Sequence, residues 1–283
     1  MNERNSDANH DFRFSVLMPI YIKENPSFLR SALQSILEDQ SVVPDEVVIV
    51  KDGPITPALA EVLSDFQTRH KSRIKVHELK KNKGMGIAMN HGLRHATFNW
   101  IARMDSDDIA IPTRFEQQLS FLKRNPEIDV LGSSIEEFNT RPGDIKRYRS
   151  LPSENDEIIR MMKFRNPLNH MTVFFRKDLA LQVGGYWRHK FNEDYNLWYE
   201  LHKIGSRFHN LGENLVHVRV GNNMVARRSG YKYFLFEKIL LKKFLRDRFI
   251  TKFQYSYLIG IKFSLRIMPV NLLKIIYEIF LRK

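Results

Sequence analysis

Between Phe14 and Asp105, short β-branched runs alternate with helical patterns, and two of those runs stop at an aspartate. Phe14–Tyr21, Asp45–Gly53, Ile74–Leu79 and Asn99–Asp105 read as strands. Between the first two, Phe28, Leu29, Ala32, Leu33, Ile36 and Leu37 recur at helical spacing, with Ser27 as the expected cap. ALAEVLSDFQTRH and GIAMNHGLRHA continue the alternation, and Pro112 is expected to open a further helix at its first turn. Strands joined by helices make βαβ units. They imply an α/β domain with a mainly parallel sheet and ligands at the strands' carboxyl ends.

Beyond about Asn139 the regularity fades. Asn139–Pro152 reads as a polar loop, PSENDEIIRMMKF as a helix and MTVFFRK as a short strand. NEDYNLWYELHKIG reads as a helix closed by Gly205, with Leu197, Leu201 and Ile204 facing inward, and Leu215–Val220 as a strand. Without internal repeats or a low-complexity linker, the chain divides into a disordered segment 1–13, one domain over 14–230 and a helical C-terminal segment over 231–283.

Composition narrows the chemistry. Apolar residues at 43% and charged residues at 27% of 283 suit a globular chain. The absence of cysteine excludes disulfides, thiolate zinc sites, Fe–S clusters and a cysteine nucleophile. MNERNSDANHDFR lacks the apolar core of a signal peptide, and no run reaches the ~18 uncharged apolar residues of a spanning helix. A soluble or peripheral protein is expected. The net charge of +13 is segregated: residues 227–283 carry 14 cations against three acids, leaving only +2 for the first 226 residues. Such segregation points to a polyanionic partner for the C-terminal segment alone.

Five local patterns are candidates for chemistry. Asp105-Ser106-Asp107-Asp108 gathers three carboxylates where a strand leaves the sheet. It reads either as a turn capping the next helix or as hard oxygen ligands for Mg²⁺ or Mn²⁺ on a pyrophosphate. Asp52 reads either as a turn-forming Asp-Gly or as an acceptor for a nucleobase or ribose. Asn82–Asn90 approaches a dinucleotide fingerprint but has Met89 where close packing wants Gly or Ala, and two strand–helix units precede it. The other reading is a helix start whose Lys83 and backbone N–H groups face phosphate. Glu193-Asp194, after Gly184-Gly185-Tyr186, reads either as acids favoured by a helix dipole or as a general base on a mobile rim. Finally, His170 and the cations Arg219, Arg227 and Arg228 are weak candidates for acceptor or diphosphate binding.

In order, VLMPIY, VKDG, NKGMGIAMNHG, RMDSDD and Glu193-Asp194 resemble the family 2 glycosyltransferases, and the likeness covers roughly Phe14–Leu211. MPIYIKENP, NHMTV and VRVGNNMVARR are similar to segments of bacterial enzymes that build lipopolysaccharide, lipooligosaccharide or capsule chains. The resemblance implies an inverting enzyme with a GT-A fold, a Rossmann-like mixed sheet flanked by helices. It further implies Pro19 and Tyr21 beside the nucleotide, Asp52 on the base and Asp105 near ribose or pyrophosphate. Asp107 would hold Mn²⁺ or Mg²⁺, and Asp194 would be the general base with Glu193 beside it. The donor would be a UDP-sugar carrying galactose or glucose, and the acceptor a lipid-linked glycan. Lys51-Asp52 departs from the family's frequent paired acids, and the missing Q-x-x-R-W signature argues for one sugar per encounter. A nucleotide-sugar pyrophosphorylase would want a Gly-rich loop after the first strand, which MPIYIKENP lacks. A non-catalytic scaffold would have lost Asp107 or Asp194.

The tail mixes aliphatic clusters with Lys and Arg, the pattern of an amphipathic segment lying on an anionic leaflet. That reading expects a peripheral location on the cytoplasmic face of the bacterial inner membrane. No nucleic-acid-reading motif accompanies these charges, so nucleic acid is not an expected partner. Helices that simply cover the domain remain the other reading.

Overall fold

The computed structural model describes residues 12–220 and 229–269. Arg227, Arg228, the first 11 residues of the expected disordered segment and the tail beyond residue 269 lie outside the described residues. Its elements run β1 (Phe14–Ile20), α1 (Pro26–Leu37), β2 (Glu46–Asp52), α2 (Pro57–Arg69), β3 (Ile74–Leu79), α3 (Met85–His95) and β4 (Trp100–Arg103). Then follow β5 (Ile109–Ala110), α4 (Arg114–Arg124), β6 (Val130–Phe138), β7 (Arg147–Arg149), α5 (Asn155–Met162) and a 3-10 turn (His170–Thr172). The chain continues through β8 (Phe174–Arg176), α6 (Lys177–Gln182), α7 (Glu193–Lys203) and β9 (Phe208–Arg219), ending in α8 (Tyr231–Arg246) and α9 (Lys252–Ile267).

One mixed sheet of nine strands organises these elements in the order β3-β2-β1-β4-β8-β6-β9-β5, with β7 added to β6. The first four of that order are parallel, as the βαβ pattern requires. β8 then runs antiparallel between β4 and β6, which makes the sheet mixed rather than mainly parallel. Successive residues of β1 and β2 serve opposite faces, as the two-residue period of a strand dictates. Val16, Met18, Val47 and Ile49 pack with α1, α2 and α4, whereas Leu17, Val48 and Val50 pack with α3, α7 and α8. Both faces are therefore covered, and near-continuous apolar runs follow from that.

Three helix boundaries differ from the sequence expectation. Asn25 rather than Ser27 caps α1: its Oδ1 accepts from the Ser27 N–H at 2.8 Å, and Pro26 takes the first helical position. Pro112 stands ahead of α4, because its carbonyl accepts from the Ser41 N–H at 2.9 Å and Thr113 becomes the cap. Ile204 lies past the last residue of α7 and is exposed, while Leu197 and Leu201 are buried.

The polar stretch after Asn139 holds β7, paired to the far half of β6. β6 itself is wholly buried although it carries Ser133, Ser134, Glu136 and Glu137. A Glu136 carboxylate oxygen lies 2.7 Å from His217 Nδ1. α8 is not a detached appendage. Leu240, Leu241 and Phe244 are buried in the same core as Trp198 and Tyr199, and each such side chain contributes about 1.5–3 kcal/mol. Among the described residues, no helix is long and apolar enough to cross a membrane.

Candidate active site

The carboxyl ends of β1, β2 and β4 open on one edge of the sheet, where a parallel sheet presents its ligand crevice. β1 ends through the buried Pro19, opposite Val50 of β2, into the half-buried Tyr21. Asp52, at the end of β2, is buried, and both its oxygens accept backbone N–H groups: Lys83 at 2.7 Å and Gly84 at 2.9 Å. It thereby fixes the loop that opens α3. The Lys83 side chain is exposed above that loop.

β4 delivers Arg103, which is fully buried and donates to the Asp105 carboxylate. Its Nη2 also lies 3.7 Å from Sδ of Met85, the first residue of α3. Asp108 is buried: its Oδ1 accepts from the Arg219 N–H at 2.8 Å, and its Oδ2 has no partner. Burial, with Asp105 and Asp107 adding like charge, pushes its carboxyl well above the usual range. A crowded set of carboxylates with an orphaned buried oxygen is the donor chemistry that a hard divalent cation satisfies. The Asp105–Asp108 run is therefore compatible with Mg²⁺ or Mn²⁺.

Arg219 lies against the carboxylate turn. Its Nε donates to the Asp107 carbonyl at 3.2 Å and its Nη1 to the Asn139 carbonyl at 3.2 Å. The guanidinium lies 3.7 Å from the Phe28 ring centre and 4.4 Å from that of Phe138. Pairing of β5 with β9 brings it there, and it braces the carboxylate turn from behind.

His170 lies against Tyr186. Burial, with Arg103 nearby, holds its imidazole well below the ordinary value, so at neutral pH it is no cation for a phosphate. Its Nε2 lies 3.0 Å from the Tyr186 hydroxyl. Nor is the Gly184-Gly185-Tyr186 rim loose. Asn90 of α3 accepts from the Tyr186 N–H and donates to the Tyr186 carbonyl, both at 2.7 Å. A Cβ at Gly185, where φ is +76°, would come within 2.2 Å of Asn90 Oδ1, so only glycine admits this clamp.

The same loop carries the chain to Asn192, left-handed at φ 59°, which turns it into α7 with Glu193 and Asp194 in the first turn. The Asp194 Oδ2 accepts from Asn166 Nδ2 at 2.6 Å. Glu193 faces the start of α3: a Cβ at Gly86 would lie 3.4 Å from Glu193 Cβ and 2.1 Å from the Trp187 carbonyl. Tyr186 gathers both halves. Burial raises its phenol, and Arg103, Asp194, Glu193 and Asp105 all act on it electrostatically. Asp52, Lys83, Asp105, Asp107, Glu193 and Asp194 thus border one region, with Arg219 and His170 as its supports. Sequence reasoning did not single out Arg103, Asn90 or Asn166. An arginine within a buried strand, two residues before an aspartate, was the one available signal.

Comparison with known proteins agrees with this geometry. The family profile described as glycosyl transferase family 2 matches residues 15–182. An uncharacterized glycosyltransferase of Haemophilus influenzae is 41% identical over 96% of this chain and 100% of its own. An Escherichia coli protein named UDP-Gal:alpha-D-GlcNAc-diphosphoundecaprenol beta-1,3-galactosyltransferase is 37% identical over 96% of this chain and 97% of its own. Among solved structures, the Pyrobaculum calidifontis mannosyltransferase PcManGT, in complex with GDP-Man and Mn²⁺, superposes with a TM-score of 0.63 at 17% identity, covering 91% of this chain and 71% of that one.

Proposed function

The chain belongs to glycosyl transferase family 2 and is a glycosyltransferase of GT-A fold; on that premise we propose that it moves a hexose, galactose or glucose, from a UDP-sugar to a hydroxyl of a lipid-linked glycan, with inversion. The family match sets aside the pyrophosphorylase and the scaffold. The observation that carries the proposal is the Asn90–Tyr186 clamp, which joins the helix behind the donor loop to the loop that leads into the acid-bearing helix. The E. coli relative, whose name specifies UDP-Gal and a diphosphoundecaprenol acceptor, supports this donor and acceptor class.

In this mechanism Asp52 orders the loop at Lys83 and Gly84, beside the nucleotide, with Pro19 and Tyr21 from the neighbouring strand also beside it. Asp105, steadied by Arg103, and Asp107, braced by Arg219, would hold Mn²⁺ or Mg²⁺ against the diphosphate; the cation supplies Lewis-acid stabilisation of the leaving group when bound. Asn166 orients Asp194. Asp194 takes the proton of the acceptor hydroxyl as its oxygen forms a bond to the anomeric carbon. The bond from that carbon to the diphosphate oxygen breaks on the opposite face, UDP departs, and the configuration inverts. A positioned base of this kind contributes about 10²–10⁴-fold. An open cleft of about 640 Å³ against the same loop, lined by Arg188, Lys203, Lys243 and Arg246 with Glu200 among them, offers its basic side chains to the diphosphate of the acceptor.

Location at the inner face of a bacterial membrane is part of the proposal, and α9 supports it. Its Lys262 and Arg266 turn inward onto Glu237, while Phe253, Tyr257, Ile261, Phe263 and Ile267 are exposed. A helix with its apolar face outward suits an interfacial position. Of the cations on α8, Lys243 pairs with Glu200 and Arg246 with Asp247.

The test is incubation of the full chain with UDP-galactose or UDP-glucose, Mn²⁺ and a short-chain polyprenyl-diphosphate GlcNAc. Release of UDP with an anomerically inverted disaccharide is the expected outcome. UDP release unaffected by the acceptor, with no disaccharide from either donor, would refute the proposed donor and acceptor.

A further inference from the structure

Toward the C-terminal end of α3, three histidines converge. His77 lies on the edge strand β3, and His91 and His95 lie one turn apart on α3. Each offers a ring nitrogen, and the three nitrogens lie within 4.8 Å of one another. The ring centres of His95 stand 4.3 Å from those of both His77 and His91. A helical i, i+4 pair with a third ligand from a neighbouring strand is a geometry that three-histidine metal sites use.

Two details go beyond proximity. The Nδ1 of His95 lies 2.8 Å from the His91 carbonyl. Donation to that oxygen puts the proton on Nδ1 and leaves the Nε2 lone pair outward, as the outer hydrogen bond of a metal-bound imidazole does. The Nε2 of His77 is buried and has no hydrogen-bond partner, an arrangement that a cation would relieve. Nearby, Lys75 is drawn off to Glu46 at 2.6 Å and to Thr97 at 2.9 Å, so its ammonium is held on other oxygens.

We infer that His77, His91 and His95 form a second cation site, distinct from the aspartate cluster, for a borderline divalent transition metal of the Zn²⁺ class, with its fourth position left to water. Imidazole nitrogen suits Zn²⁺, Co²⁺, Ni²⁺ or Cu²⁺, whereas Mg²⁺ and Mn²⁺ prefer the carboxylate oxygens. At Zn–N distances of 2.0–2.1 Å, tetrahedral ligands stand about 3.3 Å apart, so the three nitrogens draw closer together when the metal binds. A metal there would tie the edge strand β3 to α3, the helix whose first turn follows the donor loop.

The experiment uses chelator-stripped full-length protein in excess Mg²⁺, which occupies hard oxygen sites. Zn²⁺ is titrated against a chromophoric competitor, and Co²⁺ is followed by its visible absorption. One Zn²⁺ per chain is expected, retained in Asp107→Asn, with intense Co²⁺ bands typical of tetrahedral nitrogen ligation. His77→Ala, His91→Ala and His95→Ala should each weaken Zn²⁺ by at least about tenfold and abolish those bands. His91→Gln and His95→Gln serve if an alanine variant unfolds. Weak octahedral Co²⁺ absorption in the parent, or Zn²⁺ affinity unchanged in folded histidine variants, would overturn the site. Loss of Zn²⁺ in Asp107→Asn alone would assign the metal to the aspartate cluster and overturn it equally.

Discussion

Asn90 holds both backbone polar groups of Tyr186, accepting from its N–H and donating to its carbonyl at 2.7 Å each. One amide on α3 thus fixes the loop that sets the entry of α7 and ties the two helices together.

Asn90→Ala leaves two buried backbone groups unpaired, each costing about 1–3 kcal/mol. A lowered Tm is expected, together with a kcat loss at saturating donor in protein that remains folded. Wild-type stability with full turnover would show that the clamp is dispensable.

Arg219→Lys tests the brace behind the carboxylates. An ammonium cannot span the Asp107 and Asn139 carbonyls while lying between Phe28 and Phe138. Losing charge-assisted bonds of about 1.5–3 kcal/mol should raise the donor KM more than it lowers kcat. An unchanged donor KM would mean that the turn supports itself.

Glu237 makes stability pH-dependent. Burial raises its carboxyl, but Lys262 and Arg266 outweigh burial and leave it below its ordinary value. A depressed folded value contributes stability above the unfolded value of about 4.3, and that contribution is lost as pH falls through the folded one. Breaking such a buried pair costs about 3–5 kcal/mol. Glu237→Gln should therefore be less stable than the parent at pH 7, with the gap closing on acidification. Parallel denaturation curves at both pH values would contradict this.

Vesicle co-sedimentation tests the outward face of α9. Replacing Phe253 and Tyr257 with serine removes two apolar anchors worth up to about 1.5–3 kcal/mol each, so binding to anionic vesicles should fall at least tenfold while transfer to a soluble acceptor persists. Undiminished sedimentation would indicate that this face meets something other than lipid.

The first half of the fold was legible because β1, β2 and β3 alternate cleanly with their helices and end at the residues that matter. Legibility failed at β6. Ser133, Ser134, Glu136 and Glu137 do not read as a strand, yet they are buried in β6, which β9 pairs along its length and whose Ser133 N–H donates to Thr172 Oγ1 at 2.9 Å. At the site, the acidic residues stood out by type and position. Their supports did not: Asn90 and Tyr186 are 96 residues apart, and Arg219 reaches Asp107 across 112. Such pairings arise from the sheet order, which local pattern does not encode. Separation along the chain also explains why the contacts of Arg219 with Asp107 and of His170 with Tyr186 escape a reading of both as candidates for acceptor or diphosphate binding.

Single-turnover transfer by Asp194→Asn tests the central claim most directly. Asparagine keeps the size of the side chain and a contact to Asn166 but removes the basicity. Donor and Mn²⁺ affinities should hold while kcat falls by about 10²–10⁴-fold, the range for a positioned general base. A folded variant whose kcat stays within about threefold of the parent would contradict the account, because acids that only favour a helix dipole contribute about 0.3–1 kcal/mol of stability and no turnover.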